Sequence, residues 1–169
     1  MADAAPDAIT LLKNDHREVE ELFKKYEKEE DAAAKRKIAT EIASALIVHT
    51  KVENDHFYPA CEGHVDEAKL KEAYVEHDGA KVLIAEIEAG GPDDEYYDAK
   101  VKVLSEQIEH HVEEEEKRLE GMFSQARRAG LDMDALGEQL MARKQELTAQ
   151  FEAGGVPKPQ LTTLEQTTI

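Results

Sequence analysis

Apolar residues recur along this chain at the spacing of one helical face, each step along an α-helix turning it by about 100°. In "AITLLKNDHREVEELFKKYEKEE" the positions Ile9, Leu12, Val19 and Phe23 share a stripe. Ile38, Ile42, Ala45 and Val52 make a second, Leu70, Ala73, Tyr74 and Ile84 a third, and Val101, Leu104, Ile108, Val112 and Leu119 a fourth. Each runs through a segment long enough for an amphipathic helix, whose apolar side must be buried against a neighbour.

Helix breakers divide these segments. Pro6 and Asp7 open the first, with Asp7 as N-cap, and its pattern runs to about Glu30. The second begins near Asp31 and is expected to stop before Pro59, which removes a helical donor and turns Tyr58 away from helical angles. The third spans about Val65 to Ala89, ahead of Gly90 and Gly91. The fourth starts after Pro92, where Asp93 and Asp94 suit a cap and first turn, and runs to about Ala129 before Gly130. Long helices joined by short connections predict an all-α fold, an up-and-down four-helix bundle over residues 1–130. "LDMDALGEQLMARKQELTAQFEA" predicts a shorter C-terminal helix over 131–153, capped by Asp132 or Asp134. Residues 154–169, "GGVPKPQLTTLEQTTI", have little to pack and read as a mobile, disordered tail.

Composition agrees with one helical domain: 41% hydrophobic, few Gly and Pro, and 169 residues, enough to bury a core. The formal charge of −17, from 38 acidic and 21 basic residues, would repel phosphate backbones and anionic membranes, so neither is expected as a partner. No stretch approaches the roughly 20 apolar residues of a membrane span, and "MADAAPDAIT" has no basic or apolar targeting region. A cytoplasmic protein is the expectation. The single cysteine, Cys61, fits a reducing compartment and reads as a small packed side chain.

Polar residues interrupt the apolar stripes. His16 falls inside the first, His49, Glu53 and His56 inside the second, and His77 on the third. In "EHHVEEEEKRL" the register sends His111 and Glu115 inward, while His110 lies nearly opposite and Glu114 points well away. A carboxylate buried in an apolar bundle costs several kcal/mol unless it is paired. The inward set holds no arginine and Lys81 is the only nearby lysine, so metal ions are left to balance the two glutamates. Imidazole with carboxylate suits iron, manganese or zinc, and two dications sharing carboxylates would offset both at once.

Taken singly, each signal is weak, because a lone H-x-x-x-E is usually a solvated pair and an inward histidine usually a satisfied core residue. Their coincidence on four stripes is what points to metal. The candidate ligands are His16, His49, Glu53, His77, His111 and Glu115, with His56 open between ligand and outer partner in the last turn before Pro59. His64 and His110 are expected in solvent, and the rest of Glu113 to Glu116 as an exposed charged face. Tyr58 reads as packing, with a phenol able to donate a hydrogen bond towards the metal.

The ordered set "LLKNDHREVEELF", "HTKVENDHFYPA", "YVEHDGAKVLIAEI" and "IEHHVEEEEKRL" resembles the hemerythrin-like (HHE cation-binding) domain family over about residues 7–129. The resemblance implies an up-and-down bundle around a non-haem di-iron centre, two oxo- or hydroxo-bridged Fe ions, with Mn or Zn as alternatives. His16, His49, His77 and His111 would be terminal ligands, and Glu53 and Glu115 would bridge. Oxygen-carrying hemerythrins have a further histidine four positions after the one on the third helix, and here Lys81 stands there. His56 stands where the family more often has an apolar residue, and either it or water would complete the coordination.

Three functions follow. One is a di-iron protein that binds or reacts with dioxygen, peroxide or nitric oxide. Another is a module for iron storage or for sensing iron or oxygen without turnover. The third is an interaction protein in which metal is only a staple. The stretch beyond the bundle is short for a signalling domain, which favours small-molecule chemistry.

Overall fold

Aspartate side chains cap the starts of four helices in the computed structural model, which describes residues 3–165. Helix α1 (Ala8–Lys28) starts where the Asp7 carboxylate accepts from the Thr10 N–H at 2.9 Å. Asp31 does the same for Ala34 at the head of α2 (Ala32–Val52). One π turn (Glu53–Phe57) carries α2 into the short α3 (Tyr58–Cys61). Asp66 caps α4 (Glu67–Gly90), which closes on Gly91 at φ 64°, a left-handed backbone that disfavours any side chain. The sequence continues through α5 (Tyr97–Glu116), α6 (Met122–Arg128) and α7 (Met133–Gly154), the last capped by Asp132.

Helices α1, α2, α4 and α5 pack in a ring, each on the next, as an up-and-down bundle requires. The expected stripes line its interior: Ile9, Leu12, Val19, Phe23, Ile38, Ile42, Val52, Leu70, Ala73, Ile84, Val101, Leu104, Ile108 and Val112 are all buried. Helix α7 lies along α1 and α2. Gly137 lets it approach, since a Cβ there would sit 2.2 Å from the Pro6 carbonyl oxygen.

Four expectations need correction. The second helical segment does not stop before Pro59: the Tyr58 N–H bonds back to the Glu53 carbonyl in a π turn, and Pro59 falls in the first turn of the helix that follows, where a proline is tolerated. The fourth segment does not run to Ala129, because the chain leaves helical angles at Lys117 and resumes at Met122. Leu119, assigned to the interior, is in this break and 69% exposed. At 22 residues α7 matches the 21 of α1, so the fifth helix is not shorter.

The tail differs most. Val156 packs on the core, and the N–H groups of Thr162, Thr163 and Leu164 all donate to the buried Asp78 carboxylate. Through residue 165 the segment is therefore a strap held to α4, and residues 166–169 lie outside the described residues. No described helix is long and apolar enough to cross a membrane.

Candidate metal centre

All six principal candidates arrive buried in the bundle, and they form two groups. His16, His49, Glu53 and Glu115 each turn one ligand atom to a common point, and Glu53, His77 and His111 do so beside them. Glu53 belongs to both. Its Oε1 lies 3.1 Å from His49 Nε2 and its Oε2 3.0 Å from His77 Nε2. Glu115 Oε1 reaches the other pair of helices, 2.7 Å from His111 Nε2 and 3.7 Å from His16 Nε2. The i, i+4 spacing of His49 with Glu53 and of His111 with Glu115 stacks each pair on one helix face.

Every imidazole is held from behind through Nδ1. Those of His16 and His49 bond to Glu116 Oε2 at 2.8 Å and Asp15 Oδ2 at 3.2 Å. Those of His77 and His111 bond to Asn54 Oδ1 at 2.8 Å and Glu76 Oε1 at 3.1 Å. An Nδ1–H given to an outer acceptor leaves Nε2 with its lone pair turned into the centre, the tautomer that a metal ligand needs. Arg17 anchors Glu116 in turn, and Lys144 anchors Asp15.

The residues fit a cation. Glu53 Oε1 and Glu115 Oε1 are buried without any hydrogen-bond partner, although histidine nitrogens stand close by. These contacts are near without the alignment of a hydrogen bond, as expected of donor atoms converging on an ion. An orphaned buried carboxylate oxygen is costly, and a metal removes that cost.

Metal-free, the centre holds protons unevenly. Burial opposes charge on His49, but Glu53 and Asp15 outweigh it and raise the imidazole to about 10. Burial also opposes the charge on His111, and there Glu115 and Glu53 again prevail and hold it above its ordinary value. His77 goes the other way, to about 4, because burial is only partly offset by Glu53 and His111 adds repulsion. Glu53 stays below its ordinary range despite burial, through His49 and its other histidine neighbours, while burial and the charge of Glu53 raise Glu115.

The π turn sets the places of two residues outside the core set. His56 joins neither group and is only half-buried in the π turn. An α-helix would keep it in phase with His49, but each π residue turns the chain by only about 80°, which rotates His56 away. The same turn brings Tyr58 in. Its hydroxyl donates to Glu53 Oε2 at 2.9 Å and lies 3.2 Å from His77 Nε2, 3.3 Å from His111 Nε2 and 3.4 Å from Glu115 Oε2. Lys81 stays out, paired with Asp78 at 3.4 Å.

Other assignments hold or shift individually. His110 is exposed and Glu114 only partly covered, as the helical phase required. Glu116, read as part of an exposed acidic run, is the partner of His16. Asp15, Asn54, Glu76 and Glu116 went unrecognised as partners. Each is next to a candidate ligand in sequence, a signal available beforehand, but acids are so common in this chain that adjacency alone selects nothing. Phe123, on α6, stacks on His16 with ring centroids 5.8 Å apart and closes that side of the centre.

Comparison with known proteins follows the same lines. The family model of the hemerythrin HHE cation-binding domain matches residues 7–123. A DNA nickase of Nostoc sp. is 26% identical over 109 residues, 64% of this chain and 31% of its own, so the chain spans about a third of that relative's length. A solved HHE cation-binding domain-containing protein from Mycobacterium kansasii has the same fold, with a TM-score of 0.73 over 89% of this chain and 94% of that one, at 18% identity.

Proposed function

Because the chain belongs to the hemerythrin HHE cation-binding domain family, we propose that it holds two iron ions and uses them to bind or react with dioxygen, peroxide or nitric oxide. His16, His49, Glu53 and Glu115 would hold one ion, and His77, His111 and Glu53 the other, with Glu115 within reach of both. The observation that carries this reading is the position of Glu53, one oxygen beside His49 and the other beside His77. A pair of redox-active ions so linked would share the electrons exchanged with an oxygen species. Manganese or zinc would suit the same donors, but zinc supplies no such electrons.

The chain's own residues have separable parts in this. Asp15, Asn54, Glu76 and Glu116 orient the four imidazoles by accepting hydrogen bonds from their Nδ1–H groups. Phe57 and Phe123, both buried and in edge-to-face contact at 5.5 Å, keep bulk water from the His16 side. Tyr58 holds a hydroxyl against Glu53, from where it can donate a hydrogen bond to a bound ligand. We take the protein to act in the cytoplasm, in keeping with its buried thiol, Cys61. DNA, named for the Nostoc relative, is left out because a charge of −17 opposes contact with a phosphate backbone.

Metal analysis with anaerobic optical spectroscopy tests the proposal. About two irons per chain, and a visible or near-ultraviolet change on adding dioxygen, peroxide or nitric oxide, are expected. Purification with zinc that iron cannot replace would overturn it. Two irons that ignore all three species would leave an iron store in its place.

A further inference from the structure

Away from the metal, α2, α7 and the strap enclose a recess of about 300 Å³ whose lining departs from the rest of this acidic chain. It includes Lys51, Lys81, Arg143 and Lys158 and no carboxylate, although the chain has 38 acidic and 21 basic residues. Its floor is apolar: Ile47, Leu147 and Phe151 are buried there, and Pro157 of the strap also lines the recess. A second recess, about 530 Å³, adjoins it and shares Lys51, Lys81 and Gln160.

The cations are not all spent on the protein. Arg143 is committed to Asp55 and Glu146, at 3.2 and 3.1 Å. Lys51 and Lys158 have no acidic partner among the described residues. Lys81 is the informative one, with a side chain only 7% exposed. Its sole described partner, Asp78, lies at 3.4 Å and already takes four closer donors: the N–H groups of Thr162, Thr163 and Leu164 and the Thr163 hydroxyl. An ammonium has three N–H donors, and burying it with so little acceptor capacity is costly unless something else accepts.

We propose that this recess is a binding site for a small amphipathic carboxylate, an aliphatic chain with a single anionic head. The head would lie between Lys81, Lys51 and Lys158, and the chain along Ile47, Leu147 and Phe151. A volume at the lower end of ligand pockets limits the occupant to a short acyl chain. Because Lys158 belongs to the strap while Lys51 and Lys81 belong to α2 and α4, an occupant ties three segments together. The site shares no residue with the metal centre, so its test does not depend on which metal that centre holds.

The test is calorimetric titration of the full, metal-loaded chain with sodium octanoate, with n-octanol and inorganic phosphate as separate probes. Octanoate is expected to bind once per chain and the other two at least tenfold more weakly. Lys158→Ala, at an exposed position that the fold does not need, should weaken octanoate about tenfold, the effect of one charge-assisted hydrogen bond. Lys81→Met should weaken it further, and Lys81→Arg should restore part of the loss. Octanol binding equal to octanoate would reduce the recess to an apolar crevice, and phosphate binding equal to octanoate would reduce it to a patch for any anion. Either result, no saturable binding, or an unaltered Lys158→Ala, overturns the proposal.

Discussion

Tyr58 donates its hydroxyl hydrogen to Glu53 Oε2 at 2.9 Å across the single π turn that joins the two residues. Positions five apart in an α-helix differ by about 140°, and only the widened turn lets them meet. Tyr58→Phe is expected to keep both metal ions. It should cost the metal-free protein about 1–3 kcal/mol, because Glu53 loses a buried donor, and it should change the rate of reaction with peroxide. Denaturant melts and stopped-flow mixing measure the two effects; wild-type values in both would remove Tyr58 from the chemistry.

Glu53 belongs to both donor groups, so, on the proposed two-ion reading, Glu53→Ala should empty both together rather than one. His111→Ala should lower metal content sharply, while His110→Ala, at an exposed position beside it, should leave it unchanged. Metal analysis of the purified variants decides, and the reverse order for the two histidines would contradict the observed helical phase.

The outer partners should behave in a third way. Asp15→Asn and Glu116→Gln preserve shape but weaken the hold on His49 and His16. Affinity should fall roughly ten- to a hundredfold while the number of sites stays the same. Competition against a chelator of known strength would show it. His56→Leu, in contrast, should leave both affinity and stoichiometry at wild-type values, since His56 joins neither ligand group.

Metal removal should destabilise the whole bundle, because the orphaned oxygens of Glu53 and Glu115 lie at its centre. With metal at a thousandfold excess over its dissociation constant, the loss would be about 4 kcal/mol for each ion bound. For a chain of this length each such loss lowers Tm by about 10 °C. Calorimetry before and after chelation measures it, and an unchanged Tm would argue that the donors are already satisfied without an ion.

Deleting the strap from Val156 onward should lower stability by about 1–3 kcal/mol, as Asp78 would keep only its long contact with Lys81. Hydrogen exchange should then rise in α4 around Asp78 before it rises in α1. Unchanged exchange in α4 would show that the strap's bonds to Asp78 do not hold in solution.

The four ligand-bearing stripes were legible because a helical register is a local property: His16, His49, His77 and His111 point inward for the same reason that Val19, Val52, Ala73 and Val112 do. For His56 the sequence leaves ligand and outer partner open, and for Tyr58 it shows a donor hydroxyl without its target, since a π turn leaves no mark on hydrophobic spacing and is selected by what it brings together. The break at Lys117 was hidden for a similar reason. Glu116 ends α5 where its carboxylate meets His16 and Arg17, partners on a helix a hundred residues earlier. The strap was misread because its bonds are made by backbone N–H groups, which any sequence supplies, to an aspartate that could equally have been solvated.

Chain order adds a temporal side to the architecture. Every candidate ligand, from His16 to Glu115, precedes α7 and the strap, which later anchor Asp15 through Lys144 and Asp78 through Thr162, Thr163 and Leu164. Since synthesis proceeds from the N-terminus at about 5–20 residues per second, the ligand-bearing helices leave the ribosome before the segments that brace them. The segments that brace the centre are therefore made last, after the helices that carry its donor atoms.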